Sequence, residues 1–325
     1  MTNYTRICTA TLALAMGLSG GIAFADEWRG WNTHAPDYPG SVAMDEFGAL
    51  VAERTEGRIT PKTFHSAQLG EQDFAIEQMQ FGGIDFAVFN LTPLNNIIPE
   101  TQATTLPYTF KSLDHMHRVM DGVIGAEIST AMEAENMVGL AWFDSGARSF
   151  YANTPLNSIA DLAGLKIRVQ NSDVNVAMVE ALGANATPIP FGEVYTSIQS
   201  GVVDGAENNW PSYESTGHFE VAPYYLLDEH SIVPEVLAVA KSTWDRLSAE
   251  DQGIVRQAAI EAAQSQRILW AAREMVSEEK VRAAGATIVQ LDDKSAFIEA
   301  MAPVYEQFAA DPVVNDILMR IQAVD

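Results

Sequence analysis

The chain has 325 residues, 47% of them hydrophobic and 19% charged, which is enough to bury a large core and to fill two domains rather than one. Six Trp, nine Tyr and fourteen Phe exclude a disordered chain. A net charge of −24 repels nucleic acid and anionic lipid, and small anions too, so an anionic ligand must be drawn by a few bases gathered in a cleft.

Residues 1–25 carry no acid and one base, Arg6. An apolar run from Thr11 to Phe24 ends in Ala23-Phe24-Ala25, the small-x-small pattern of a cleavage site. The expectation is a cleaved secretory signal over 1–25 and a mature chain from Asp26, whose net charge falls to −25 because one base and no acid leave. No later stretch of about 18 apolar residues offers a membrane span. The single cysteine, Cys8, precedes the apolar run, so it is no lipid-anchor site and the mature chain has no disulfide.

Glu27 to Thr33 reads as a strand, followed by the turn-rich loop His34 to Gly40 and a helix from about Ser41 to Thr55. Ile59 to Phe64 is the next strand, then Gln68-Leu-Gly-Glu71-Gln72, a helix to about Phe81, and a strand Ile84 to Phe89 ending at Asn90. This βαβαβ alternation predicts a mostly parallel sheet covered by helices. Thr92 to Pro107 reads as a loop, with helices at Ser112 to Met120 and Ile124 to Glu135. Strands Met137 to Phe143 and Arg148 to Ala152 flank Asp144-Ser-Gly-Ala147, and the second carries the chain toward another lobe.

Beyond a short turn at Ser158 to Leu162 lies Leu165-Lys-Ile-Arg168-Val-Gln170. Ile167 and Val169 point one way and Arg168 the other. A guanidinium seated mid-strand is costly to desolvate unless an anion meets it, and a ligand carboxylate is the expected anion. A helix at Ser172 to Leu182, a strand near Thr187 to Ile189, a helix opened by Pro190-Phe191-Gly-Glu193 and a strand Val202 to Ala206 follow.

A weak internal repeat appears here. Gln80-Phe-Gly82-Gly-Ile-Asp85 and Gln199-Ser-Gly201-Val-Val-Asp204 each pair a helix-ending glycine with an acid entering an apolar strand. Those strands run out to Asn90 and Asn208, and because open parallel sheets bind ligands beyond their carboxyl ends, facing lobes would set both asparagines in one cleft. Glu235 to Ala240 reads as a strand returning to the first lobe. Leu247 to Ala284 keeps helical spacing without proline, long enough to span both lobes; a strand Thr287 to Leu291 and a helix Lys294 to Phe308 complete the chain.

The signal, Gln68-Leu-Gly70, Gly146-Ala-Arg148-Ser-Phe, Asp161-Leu-x-Gly-x-Lys-Ile-Arg168-Val-Gln, Pro190-Phe191-x-Glu-Val-Tyr195, Gly201-x-Val-Asp204-Gly-x-Glu207-Asn208 and the long late helix together resemble the solute-binding proteins of TRAP transporters, over essentially the whole mature chain. The resemblance implies two α/β lobes with mixed or mostly parallel sheets around a cleft, joined by crossing strands and a hinge-spanning helix, as in type II periplasmic binding proteins. The lobes would be 26–146 with 234–270 and 147–233 with 271–325. Such a protein works in the periplasm of a Gram-negative bacterium, closing on a small organic acid and delivering it to sodium-coupled membrane subunits.

In that family the residue matching Arg168 clamps the ligand carboxylate, and those matching Arg148, Phe191 and Asn208 help line the site. Asp144-Ser-Gly-Ala-Arg148-Ser-Phe-Tyr151 and His34-x-x-Asp37-Tyr-Pro39 are similar to the branch that binds glucuronate and galacturonate. Hydrogen bonds to charged groups contribute about 1.5–3 kcal/mol each, whereas a micromolar ligand needs about 8 kcal/mol. Further partners are needed: amides from Asn90 and Asn208, a hydroxyl acceptor from Glu71 or His34, an apolar wall from Phe191 or Trp210.

Each of these has a plainer reading. Arg168 or Arg148 can be half of an internal ion pair, Asn208 or Asn90 a cap, Phe191 or Trp210 core, and His34 or Glu71 a loop residue facing water. Gly17-Leu-Ser19-Gly-Gly21 matches a nucleophile elbow but falls inside the signal. His115 and His117 stand two apart on a helix and face different ways, so no metal is expected there. No cofactor is expected and no catalysis. The alternatives are a C4-dicarboxylate or another keto, hydroxy or aldonic acid as ligand and, outside the class, an exported sugar-acid lyase.

Overall fold

The computed structural model describes residues 25–325, so the expected signal over 1–25 lies outside the described residues apart from Ala25. Eleven strands appear in chain order among the described residues: β1 (Asp26–Trp31), β2 (Ile59–Phe64), β3 (Phe86–Asn90), β4 (Met137–Phe143), β5 (Ala147–Ala152), β6 (Lys166–Val169), β7 (Asn185–Pro188), β8 (Gly205–Asn208), β9 (Tyr224–Ile232), β10 (Glu235–Ala240) and β11 (Thr287–Gln290). They form two sheets, ordered β2-β1-β3-β10-β4 and β11-β9-β5-β8-β6-β7. The βαβαβ run makes β2, β1 and β3 parallel as its spacing predicts, but β10 inserts antiparallel between β3 and β4, so this sheet is mixed.

Two short links carry the chain between sheets, Asp144–Gly146 after β4 and Val233–Pro234 before β10. The third connection is the helix Ala249–Ala283. Its start is fixed by the Ser248 hydroxyl, which accepts from the Asp251 N–H, and acids in its first turn with bases in its last complement the helix dipole. Val255, Ala258, Ala259, Ala262, Gln266 and Trp270 are buried at three- and four-residue steps, and the alanines let the helix pack closely on Pro39–Arg54 and β4. Farther along it packs on the helix Trp210–Ser215, beside the second sheet.

The repeat read from the sequence has a structural basis. Gly82 and Gly201 both sit at φ +74°, ending their helices in the left-handed conformation. Asp85 then accepts from the Arg29 N–H at 2.8 Å, and Asp204 from the Lys166 N–H at 2.8 Å, so each acid, just ahead of its own strand, is tied to the backbone of the neighbouring parallel strand.

Several expectations need correction. The strand placed at Val202 to Ala206 begins at Gly205, and Thr92 to Pro107 contains 3-10 turns and a short helix, Gln102–Thr105. The helix expected from Lys294 to Phe308 is two, Ser295–Ala300 and Ala302–Phe308, because Pro303 can supply no interior helical N–H. A last helix, Pro312–Gln322, follows the Asp311 cap and packs against Gln102–Thr105 and Val123–Ala134. Strand β9 had no sequence counterpart.

Candidate functional site

A cavity of about 350 Å³ lies between the sheets. It sits at the carboxyl ends of β1, β3, β6, β7 and β8 and at the amino ends of the antiparallel β5 and β10, which face the same way. Seven of the eight residues named from the sequence line it, His34, Glu71, Asn90, Arg148, Arg168, Phe191 and Asn208; Trp210 does not.

Arg168 is held by β6 between β8 and β7, with Ile167 and Val169 fully buried on the opposite face. It is 3% exposed, and its Nε donates to the Ile189 carbonyl at 2.8 Å. No carboxylate of the described residues lies within salt-bridge reach, and its terminal nitrogens make no hydrogen bond to them. Burial pulls its pKa down to about 10, against the pull of Glu207, so it is cationic at neutral pH.

Arg148 stands on the other side of β8 with four of its five N–H groups engaged and its charge matched by Glu207. Its Nε and Nη2 donate to the two oxygens of Glu207, Nη2 also to the Glu207 carbonyl at 2.9 Å, and Nη1 to Asn208 Oδ1 at 2.9 Å. Burial opposes the pair, yet Arg148 and His230 draw Glu207 down to about 2. His230 bonds Asp228 at 2.8 Å and approaches Glu207 at 3.4 Å; burial lowers its pKa, but these two acids raise it to about 9. Two cations and two carboxylates thus cancel behind the cavity wall. Nothing in the sequence singled out Glu207, Asp228 or His230 as a group, because a bulge in β9 at Glu229, φ +48°, brings the last two inward.

Asn208 Oδ1 is taken by Arg148 and the Asn209 N–H, which leaves its amide nitrogen as the group without a partner among the described residues. Asn90 Oδ1 accepts from the Thr92 N–H at 3.1 Å, a capping contact at the cavity edge. Glu71 reaches across to the Gly192 N–H at 3.5 Å. The His34 ring stacks on Tyr38, centroids 3.7 Å apart, and meets Phe191 edge-on at 5.2 Å. Burial and then the Arg148 charge lower His34 to about 3, so it is a neutral donor or acceptor at any ordinary pH. Trp210 lies outside the cavity, stacked on Tyr225 at 4.4 Å.

Among the lining residues that the sequence reading did not name, Glu235 carries the most chemistry. Glu235, the first residue of β10, is 5% exposed, and neither carboxylate oxygen makes a hydrogen bond of good geometry to the described residues. Burial pushes its pKa up to about 7, against smaller contributions from Asn90, Ser145 and Arg148. An acid opening an apolar strand, Glu235-Val-Leu-Ala-Val-Ala240, was the available signal, the same one that drew notice to Arg168.

The histidines His115 and His117 take separate partners, the Ile321 carbonyl and Asp144. Among the described residues the cavity therefore offers one uncompensated cation on the second sheet's wall and carboxylates on the first, an arrangement complementary to a small acid that also carries hydrogen-bond donors.

Residues 32–311 match the pattern of the bacterial extracellular solute-binding proteins, family 7. A TRAP periplasmic solute-binding protein from Chromohalobacter salexigens, solved with bound D-glucuronate, is 48% identical, superposes at a TM-score of 0.90 and matches 92% of this chain and 100% of its own. One from a Sulfitobacter species, with bound β-D-galacturonate, is 48% identical at 0.88 over 90% and 98%. The 2,3-diketo-L-gulonate-binding periplasmic protein of Escherichia coli is 30% identical over 87% of each chain. With its two sheets, three crossings and cleft, the chain belongs to family 7 of the bacterial extracellular solute-binding proteins, which serve TRAP transporters together with membrane subunits.

Proposed function

We propose that this chain is the periplasmic receptor for a hexuronate, D-glucuronate or D-galacturonate, exported by a signal over 1–25 and handing its cargo to TRAP membrane subunits. The observation that carries the reading is Arg168, a buried guanidinium whose terminal nitrogens have no partner among the described residues and border the cavity. A carboxylate would meet it through two parallel hydrogen bonds, which set orientation as well as charge. The Asn208 amide and the spare N–H of Arg148 would lie alongside. Hydroxyls would face Glu71, Asn90 and His34, and Phe191 would cover the apolar face of the sugar ring. Relatives of 48% identity that hold uronates support the same choice. The lobes we assign as 26–146 with 234–270 and 147–233 with 271–325, the helix Pro312–Gln322 returning to the first, and they close by rotation about the crossings. No bond is made or broken.

A thermal-shift screen over uronates, aldonates and C4-dicarboxylates tests this. A ligand at one hundred times its Kd adds about 2.7 kcal/mol to folding stability. Uronates should stand out, and the Arg168→Lys variant should weaken them by at least tenfold, about 1.4 kcal/mol, while the ligand-free protein melts unchanged. A dicarboxylate as the strongest stabiliser would replace the uronate reading, and consumption of the uronate during incubation would favour a lyase.

A further inference from the structure

We propose that Glu235 determines the specificity of the cavity: its carboxylate accepts hydrogen bonds from ligand hydroxyls and excludes a second ligand carboxylate. This rests on the hexuronate reading and deepens it.

Position comes first. Glu235 opens β10 and pairs in register with Asn90 of β3 and Phe143 of β4, on the wall opposite Arg168. Paired residues of antiparallel strands point to the same face, which explains why Asn90 and Glu235 both border the cavity.

An acid so buried, with only the neutral Asn90 and Ser145 side chains to lean on and no cation in salt-bridge range among the described residues, is costly unless a ligand completes it. The same holds for Arg168. One wall thus keeps a cation without a partner and the facing wall an anion. A molecule that satisfies both has a carboxylate at one end and hydroxyl donors at the other.

Charge settles the class further. Of the two arginines at the cavity, Arg148 is spent on Glu207, so only Arg168 has charge to offer. A diacid bound through Arg168 would set its second carboxylate against Glu235, with Glu71 and Asp73 on the same wall. The charged and titratable groups facing Glu235 are Arg148 from β5, Asp144 from the link after β4, and Tyr38 from the loop before Pro39–Arg54; Asn90 and Ser145 are neutral neighbours. Burial lifts its pKa to about 7, so a diacid gains entry only by bringing a proton to Glu235.

Isothermal titration of the purified protein with D-galacturonate and with galactarate, the six-carbon diacid, is the test, at pH 8 and pH 6. Both ligands stay fully ionised over that range. The protein should prefer galacturonate at least a hundredfold at pH 8, and the preference should shrink by well more than tenfold at pH 6, because for a group near pH 7 the protonated fraction that admits galactarate rises about tenfold while the ionised fraction that holds galacturonate falls about tenfold. Glu235→Gln should lose at least tenfold in galacturonate affinity, gain in galactarate affinity, and show the same ratio at both pH values. A variant that keeps the wild-type ratio and its pH dependence overturns the role. If the variant does not fold, as judged by circular dichroism, the wild-type series decides, and a ratio constant from pH 8 to 6 overturns it. A wild-type protein that binds no uronate at either pH defeats the hexuronate reading and this role with it, whereas uronate binding with an unchanged variant ratio defeats this role alone.

Discussion

Arg148 and Arg168 flank the same strand and are equally buried, yet they differ in what remains to be bound. Glu207 neutralises the first and leaves the second to a ligand. Glu235 mirrors Arg168 as an acid without a counter-charge in salt-bridge range among the described residues, and its cost appears in stability. Its folded pKa, about 7, lies above the ordinary 4.5, so the folded state holds the proton more tightly. Stability from this group is present below about pH 4.5 and is lost as pH rises through 7. Urea unfolding of the ligand-free protein should find Glu235→Gln more stable than wild type by about 2–3 kcal/mol at pH 8, with the gap closing toward pH 5. An equal gap at both values would mean the carboxylate is not held against its charge. Sequence alone made Arg148 and Arg168 look alike, each a base set in an apolar strand. The difference is the register of β5 on β8, which seats Glu207 beside Arg148 across 59 positions of chain, a distance that local pattern does not carry.

The two helix-to-strand turns were legible because glycine and aspartate recur at one spacing and each has one conformational reason to be there. Their glycines nonetheless differ from Gly205 four residues on. A Cβ on Gly201 would meet nothing within 4 Å, so Gly201→Ala should cost only the left-handed strain, about 1–2 kcal/mol, and leave ligand affinity unchanged. At Gly205 a Cβ would lie 2.1 Å from the Tyr151 carbonyl oxygen. Gly205→Ala must push β8 off β5, and it should cost at least about 3 kcal/mol and most of the affinity, since Glu207 and Asn208 move with that strand. Urea denaturation and titration calorimetry on the pair check both statements. Strand β9 was illegible for the opposite reason. Its Asp228-Glu-His-Ser231 run reads as a polar loop, and only the bulge and the buried charge pairing make it a central strand.

At the scale of the whole molecule, two lobes and a long connecting helix followed from the alternation of elements and from a proline-free run. How the helix grips the hinge did not. Gln266 donates to the Asp144 carbonyl and accepts from the Asp144 N–H, both at 2.8 Å, binding the first crossing to the middle of the helix. Replacing it by leucine strands two buried backbone groups, and Gln266→Leu should lower unfolding free energy by about 2–4 kcal/mol, read from denaturant midpoints at constant m-value. A glutamine at that position in a helix is ordinary in sequence; its partner is over one hundred residues away.

The rim of the cavity, by contrast, is lightly fastened. Across the mouth, Asn171 donates to Asp73 at 2.9 Å and the Gly192 N–H to Glu71 at 3.5 Å, both in exposed positions. Bonds open to water add little net energy, so such a latch delays escape only briefly. Residence time then belongs to the guest: a molecule that satisfies Arg168 holds the door shut, and a poor fit is gone before the receptor can dock with it.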